Sequence, residues 1–332
     1  MPKKNFWLEL KNKKQPILAL APMAGFTDSA FRQICKKFGA DVLYSEMASA
    51  TALYYSDYAK DKASRQKIKN ATLELLKFNR RQEKYYVVQL FGSNPEHFAV
   101  AAKIITREIK PDGIDINFGC PVSKVIKQGA GSDLMKNLPR ARAVIEAVLN
   151  NTDLPVSIKI RAKSGNVDAR EFLKTLSDLP LAALMIHGRS VNQGFVGEPD
   201  CDLIKKAREY FSGVIIANGG VNDLHSAQKI MKASQADGLG LARGILGRPW
   251  LFQEIRQNQE IQLSVADTLG LMLKQAQLQE KIKGAGAIIE LRKHLVWYVK
   301  SLSGASRLRE QLVKVENIND LKKIIKDYQA TI

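Results

Sequence analysis

Eight short apolar runs, most of them separated by stretches of helical periodicity, limit the folds open to this chain more than any other feature. They occupy residues 17–21, 41–45, 85–91, 113–117, 155–161, 181–187, 213–218 and 237–242. They are often β-branched and end in glycine or polar residues, as strands do. Between them, residues 99–109, 140–149 and 227–231 repeat their apolar positions at helical spacing. Eight such units over about 235 residues predict an α/β fold, a closed parallel (β/α)8 TIM barrel, whose usual size is about 250 residues. An open doubly wound sheet is the alternative, but no Gly-x-Gly-x-x-Gly follows any run, which counts against a dinucleotide fold. From residue 251 onward the pattern is helical alone. Ile288, Leu291, Leu295, Val299 and Leu302 form an apolar stripe closed by Ser303-Gly304, while Lys293, Trp297 and Lys300 lie on another face of the same helix. The expected organisation is a barrel over 1–250 followed by a small all-α helical C-terminal domain over 251–332.

Such barrels build their sites from loops at the C-terminal ends of the strands. Those ends carry Ala21-Pro22-Met23-Ala24-Gly25, Glu46, Gln89, Asn117 and Cys120, Lys159 and Arg161, His187-Gly188-Arg189, Asn218-Gly219-Gly220 and Ala242-Arg243-Gly244. Inward polar groups at nearly every strand end are costly to bury unpaired, so a bound polar ligand is expected. Gly219 and Gly220 let backbone N–H groups approach a dianion and Arg243 can pair with it, at the loops where these barrels often hold phosphate. Lys159 interrupts an apolar strand, which is rare unless the ammonium meets an anion. In Asn117-Phe118-Gly119-Cys120-Pro121 a sharp turn holds a thiol and a carboxamide just past a strand terminus.

The formal net charge of the 332 residues is +18, which points to an acidic partner, nucleic acid first. Three scattered cysteines fit neither a disulfide framework nor a zinc cluster; no metal is expected, and a reducing, cytoplasmic setting is. The N-terminus lacks a signal-peptide core, and no apolar run reaches the roughly 18 residues of a membrane span. No membrane association and no obligate protein partner is expected.

These residues, in this order, resemble the tRNA-dihydrouridine synthases, most closely the bacterial B-type group. The resemblance rests on Leu20 to Asp28 (Leu-Ala-Pro-Met-Ala-Gly-Phe-Thr-Asp), Gln89-Leu90-Phe91-Gly92 and Asp115 to Pro121. It continues through Lys124-Val125, Ala130-Gly131-Ser132, Lys159-Ile160-Arg161, His187-Gly188-Arg189, Asn218-Gly219-Gly220, Gly247 to Trp250 and Arg292-Lys293-His294. It implies an FMN-dependent reduction of specific uridines to 5,6-dihydrouridine in the D-loop of tRNA, with NADPH or NADH as reductant. It further implies that Pro22, Met23 and Ala24 line the flavin, that Gln89 and Lys159 bind its ring with His187 in contact, and that Asn218, Gly219, Gly220, Ala242 and Arg243 hold its phosphate. Cys120 would donate the proton, and Asn117 and Arg161 would face the base, with Arg292, Lys293 and Lys300 reaching the tRNA near its elbow. One departure is Ala242, where the family generally has glycine; if that position needed positive φ, alanine would cost about 1 kcal/mol.

Saturating the uracil C5=C6 bond takes hydride at C6 and a proton at C5. A thiol of ordinary pKa, about 8.5, is mostly protonated at neutral pH and suits the general acid. The uracil must leave its stack to be reached, which leaves basic surface to hold the tRNA. Two runs qualify: Lys62, Arg65, Lys67, Lys69, Lys77 and Arg80; and Arg292, Lys293, His294, Lys300, Arg307 and Arg309 with Trp297 and Tyr298 interleaved. Two rival readings remain. One is an FMN barrel reducing a free pyrimidine, as dihydroorotate or dihydropyrimidine dehydrogenases do; the other is a non-catalytic RNA-binding barrel.

Overall fold

The computed structural model describes residues 5–58 and 71–331. Eight parallel strands close into a barrel: β1 (Ile17–Leu20), β2 (Val42–Ser49), β3 (Tyr86–Phe91), β4 (Gly113–Phe118), β5 (Val156–Arg161), β6 (Ala183–His187), β7 (Val214–Asn218) and β8 (Gly238–Leu241). Each strand pairs with its sequence neighbours, and β1 closes the ring on β8 in the register Ile17 to Gly238 through Leu20 to Leu241. The (β/α)8 expectation holds, and a helical region follows it.

Strand side chains alternate between faces, so each strand splits its residues between two environments. Outward residues such as Leu18, Leu20, Leu43, Val88, Ile114, Ile158, Leu184 and Ile215 pack under the surrounding helices in one large apolar cluster. Inward residues grade along the axis. Ile17, Ala19, Val42, Tyr44, Val87, Val214 and Ile216 fill the lower half, together with Phe6, Trp7 and Leu10 of the helix Phe6–Lys11. That helix plugs the floor, with Trp7 wholly buried. Higher up, the inward positions turn polar: Gln89, Asp115 and Ser157 stand in register across β3, β4 and β5, and Asn117 stands beside Lys159.

β2 runs on to Ser49, past the expected end at 45, because the β2–β3 register shifts between Tyr44 and Met47. The irregularity lets the hydroxyl of Ser45 accept the Gln89 N–H at 2.9 Å and sets Met47 beside Gln89.

Beyond the barrel, helices Leu251–Gln257, Val265–Lys283, Ile288–Tyr298, Ala305–Leu312 and Ile318–Gln329 follow. The last four share an apolar cluster that includes Leu269, Met272, Ile288, Leu291, Leu295, Leu312 and Leu321, while Leu251 and Phe252 of the first pack into the barrel's own cluster. The stripe's helix stops at Tyr298 rather than at Ser303-Gly304. Its end lies against the loop after β8, where a Cβ on Gly247 would stand 2.3 Å from the Trp297 carbonyl oxygen. The chain turns there, so Val299 and Leu302 reach the apolar cluster from the turn. Among the described residues no helix is long and apolar enough to cross a membrane.

Candidate active site

The polar upper rows of the barrel open into a cavity of about 380 Å3 at the C-terminal ends of the strands. That volume falls within the range of small-molecule sites. Pro22, Met23, Ala24, Gln89, Asn117, Cys120, Lys159, Arg161, His187, Asn218, Gly219, Gly220, Ala242 and Arg243 all line it. The tail reaches the rim through Trp297, and Lys293 lies over the Phe26 ring at 5.6 Å.

The cations divide into tied and untied groups. Arg161 sends Nε to the Gly119 carbonyl at 3.0 Å and Nη1 to the carbonyls of Ser190 and Gly194, so it ties the end of β5 to the loops after β4 and β6. Arg189 similarly sends Nε to the Gly197 carbonyl at 2.8 Å. The side chains of Lys159 and Arg243, by contrast, make no hydrogen bond or ion pair with any described residue; Arg243 rests on the Phe195 ring with 3.7 Å to its centroid. Burial, reinforced by Arg161, pushes the Lys159 ammonium down to about 8. Burial also holds His187 neutral, at about 2, with Lys159, Arg161, Arg189 and Arg243 adding to the depression. Four cations around one cavity, Arg243 exposed to solvent and Lys159 influenced by the Asp115 carboxylate below it, make a rim complementary to an anion.

Loop geometry at β7 and β8 suits that anion. Gly219 has φ +98°, and a Cβ there would stand 2.5 Å from His187 Cδ2, so only glycine fits. Neither the Gly219 nor the Gly220 N–H has a backbone acceptor among the described residues. Asn218 donates from Nδ2 to the Gly240 carbonyl at 2.7 Å and locks the two strand ends together. Ala242 has φ −130°, so the feared cost of alanine in a left-handed conformation does not arise.

The thiol loop is held from below. Asn117 Oδ1 accepts the N–H groups of Gly119 at 3.0 Å and Cys120 at 2.9 Å, while its Nδ2 donates to Gln89 Oε1 at 2.9 Å. Gln89 Nε2 in turn donates to Asp115 at 2.7 Å, and Ser157 Oγ donates to the other carboxylate oxygen at 2.6 Å. Both carboxamides expected to face ligand are thus engaged with the protein.

Of the tail residues expected to meet an acidic partner, Lys293 and Lys300 are exposed, Lys300 lying 5.5 Å from the Trp297 ring centroid. Arg292 instead caps the Val315 carbonyl at 2.7 Å, and His294 is buried between Phe26 and Phe31. In the earlier basic run, Lys62, Arg65, Lys67 and Lys69 lie outside the described residues, Lys77 pairs with Glu74, and Arg80 pairs with Asp112. Sequence reasoning missed Met47 and Phe195. Phe195 stands 56% exposed in the loop after β6, where no periodicity marks it.

A family model described as Dihydrouridine synthase (Dus) matches residues 19–331. The "Probable tRNA-dihydrouridine synthase" of Aquifex aeolicus is 30% identical over 320 residues, 95% of this chain and 97% of that protein. The "tRNA-dihydrouridine synthase B" of Proteus vulgaris is 32% identical over 329 residues, 96% of each. Among solved structures, a 6-hydroxypseudooxynicotine amine oxidase from Pseudomonas geniculata N1 superposes with TM-score 0.55 at 12% identity, over 95% of this chain and 64% of that one. A histamine dehydrogenase from Rhizobium sp. 4-9 gives 0.52 at 13% identity, over 79% and 49%. At such identities these two speak for the barrel alone.

Proposed function

The chain belongs to the dihydrouridine synthase family, and from that premise we propose that it reduces specific uridines in the D-loop of tRNA, with FMN as cofactor and NADPH as reductant. One observation carries the reading: a thiol and two unpaired cations, Lys159 and Arg243, line the same cavity. FMN is an anion with a flat ring, and this chain's residues fit both parts. Pro22, Met23 and Ala24 would lie along the ring, with Gln89, Lys159 and His187 at its edges; Asn218, Gly219, Gly220, Ala242 and Arg243 would hold the phosphate. When bound, FMN supplies hydride chemistry that no side chain can perform.

The protein's own part is protonation and placement. Cys120 gives its proton to C5 of the base, and Asn117 holds the loop that presents the thiol. Lys159 gains charge when an anion lies beside it, which offsets the burial that depresses it. Neutral His187 can donate or accept one hydrogen bond without adding to the positive cluster. The helical tail, taken as a tRNA-binding domain over 251–332, offers Lys293 and Lys300 at the rim. That platform favours tRNA over a free pyrimidine, and the cavity at the strand ends favours an enzyme over a plain RNA-binding barrel.

The test is the Cys120→Ala variant. Purified protein should absorb near the flavin maximum of about 450 nm and oxidise NADPH as the parent does, while dihydrouridine in tRNA, read by mass spectrometry, falls by about 10²–10⁴-fold. Undiminished product removes the acid role, and a colourless parent removes the cofactor.

A further inference from the structure

The loop after β6 is fastened on both sides of an aromatic side chain that packs into no core. Arg161 Nη1 donates to the Gly194 carbonyl at 3.0 Å and Arg189 Nε to the Gly197 carbonyl at 2.8 Å, so two guanidinium groups bracket residues 195 and 196. Inside the bracket the turn closes on itself. The Gly194 N–H meets the Val191 carbonyl at 3.1 Å, and the Val196 N–H meets the Gln193 carbonyl at 2.9 Å. Val196 is exposed, whereas the half-exposed Phe195 ring lines the cavity. Burial of apolar area accounts for little of this arrangement, since the ring keeps more than half of its surface in water.

The ring is set among cations. The Arg243 guanidinium carbon lies 3.7 Å from its centroid, the Arg161 guanidinium carbon 6.0 Å, and the His187 ring centroid 6.2 Å. An edge-on guanidinium at 3.7 Å would drive its nitrogens into the ring, so Arg243 and Phe195 meet face to face, where the ring quadrupole is negative. A guanidinium's donors radiate in its own plane, so a partner on its face consumes none of them. The Arg243 side chain accordingly keeps all its donors unengaged with any described residue. An exposed arginine without such a partner would sample many rotamers and lose that freedom on meeting a ligand. The ring imposes the restriction beforehand, at the same cavity wall that carries Gly219 and Gly220.

We propose that Phe195 is a positioning residue for Arg243: its ring holds the guanidinium by one face and leaves the in-plane donors free for a phosphate. The inference rests on the function proposed above, in which Arg243 meets the phosphate of FMN. It also gives Arg161 and Arg189 a shared task, since both fasten the loop that carries the ring. Chemistry separates this role from a contact with the flavin itself. Riboflavin has the same tricyclic ring and ribityl chain as FMN but no phosphate, so a residue that acts through Arg243 affects only FMN.

The experiment titrates FMN and riboflavin, each read by flavin fluorescence, into the flavin-free full-length protein. In Phe195→Ala the FMN dissociation constant should rise about fivefold, the upper end for an exposed cation–π contact. The riboflavin constant should stay at the parent value, which also shows that the variant is folded. Phe195→Tyr, which keeps the ring face, should bind FMN as the parent does. In an Arg243→Met background, adding Phe195→Ala should raise the FMN constant no further. An unchanged FMN constant in Phe195→Ala overturns the proposal. A parallel rise for riboflavin overturns it too, as the mark of a ring that touches the flavin, and so does a fivefold rise that persists without Arg243. A parent that binds neither flavin refutes the proposed cofactor, an outcome distinct from FMN bound equally well by parent and variant, which removes Phe195 alone.

Discussion

Two groups of cations in this molecule are finished differently. On the helix Ser29–Lys37, Arg32 is wholly buried and wholly satisfied: Nε meets Glu83 at 2.5 Å, Nη1 the Thr27 carbonyl at 2.7 Å, Nη2 the Lys77 carbonyl at 2.9 Å, and the guanidinium covers the Tyr86 ring. At the barrel mouth, the side chains of Lys159 and Arg243 have no such partner among the described residues. The first network is closed and fastens the segment around residue 80 to the barrel. The second is open, and openness in a cavity is what separates a binding site from a brace.

The comparison breaks most readily at the closed end. Glu83→Ala should leave the Arg32 charge uncompensated and cost about 3–5 kcal/mol of stability in denaturant unfolding. A loss under about 1 kcal/mol would mean that Arg32 finds water or another carboxylate. Product formation by the surviving folded fraction should be unaffected.

Lys159→Met should do the opposite. Charge on Lys159 is disfavoured in the ligand-free native state, since burial lowers it to about 8. The penalty is therefore full below pH 8 and fades as pH rises toward the unfolded value of about 10.4, where the unfolded chain also loses its proton. Removing the ammonium should stabilise the ligand-free protein by about 1–3 kcal/mol at pH 7 and by nothing near pH 11. Flavin retention should weaken in the same variant. Parallel melting temperatures for parent and variant across that range would refute the open-site account.

The smallest effect belongs to the rim. Lys300→Ala should leave stability within about 0.5 kcal/mol and lower the salt dependence of tRNA binding by about one phosphate contact. A salt slope equal to that of the parent would remove Lys300 from the interface.

The strands were legible because parallel barrel strands are apolar runs bounded by glycine and polar residues; most starts fall within two residues of expectation. The rim residues were legible for a topological reason: a closed parallel barrel brings every strand end to one mouth. Less was visible in how those residues bond. Arg161 reads like a ligand contact in Lys159-Ile160-Arg161, yet its partners come from loops at 119 and 190–194, positions set only by tertiary packing. Arg292 was drawn off by the Val315 carbonyl for the same reason. The continuation of β2 was hidden because a register shift leaves no periodic trace, and the floor plug because a six-residue helix is too short to announce itself.

The seam between β1 and β8 joins residues near 17 to residues near 240. During synthesis at about 5–20 residues per second, the first strand therefore waits on the order of tens of seconds for its last neighbour to leave the ribosome. Until then a nascent half-cylinder presents a bare edge to its surroundings, and its Val-Ile-Leu interior is open to chaperones or to a second unfinished copy. Helices from Leu251 onward emerge only as that window ends, so the segment that reaches the rim is made when there is at last a rim to reach.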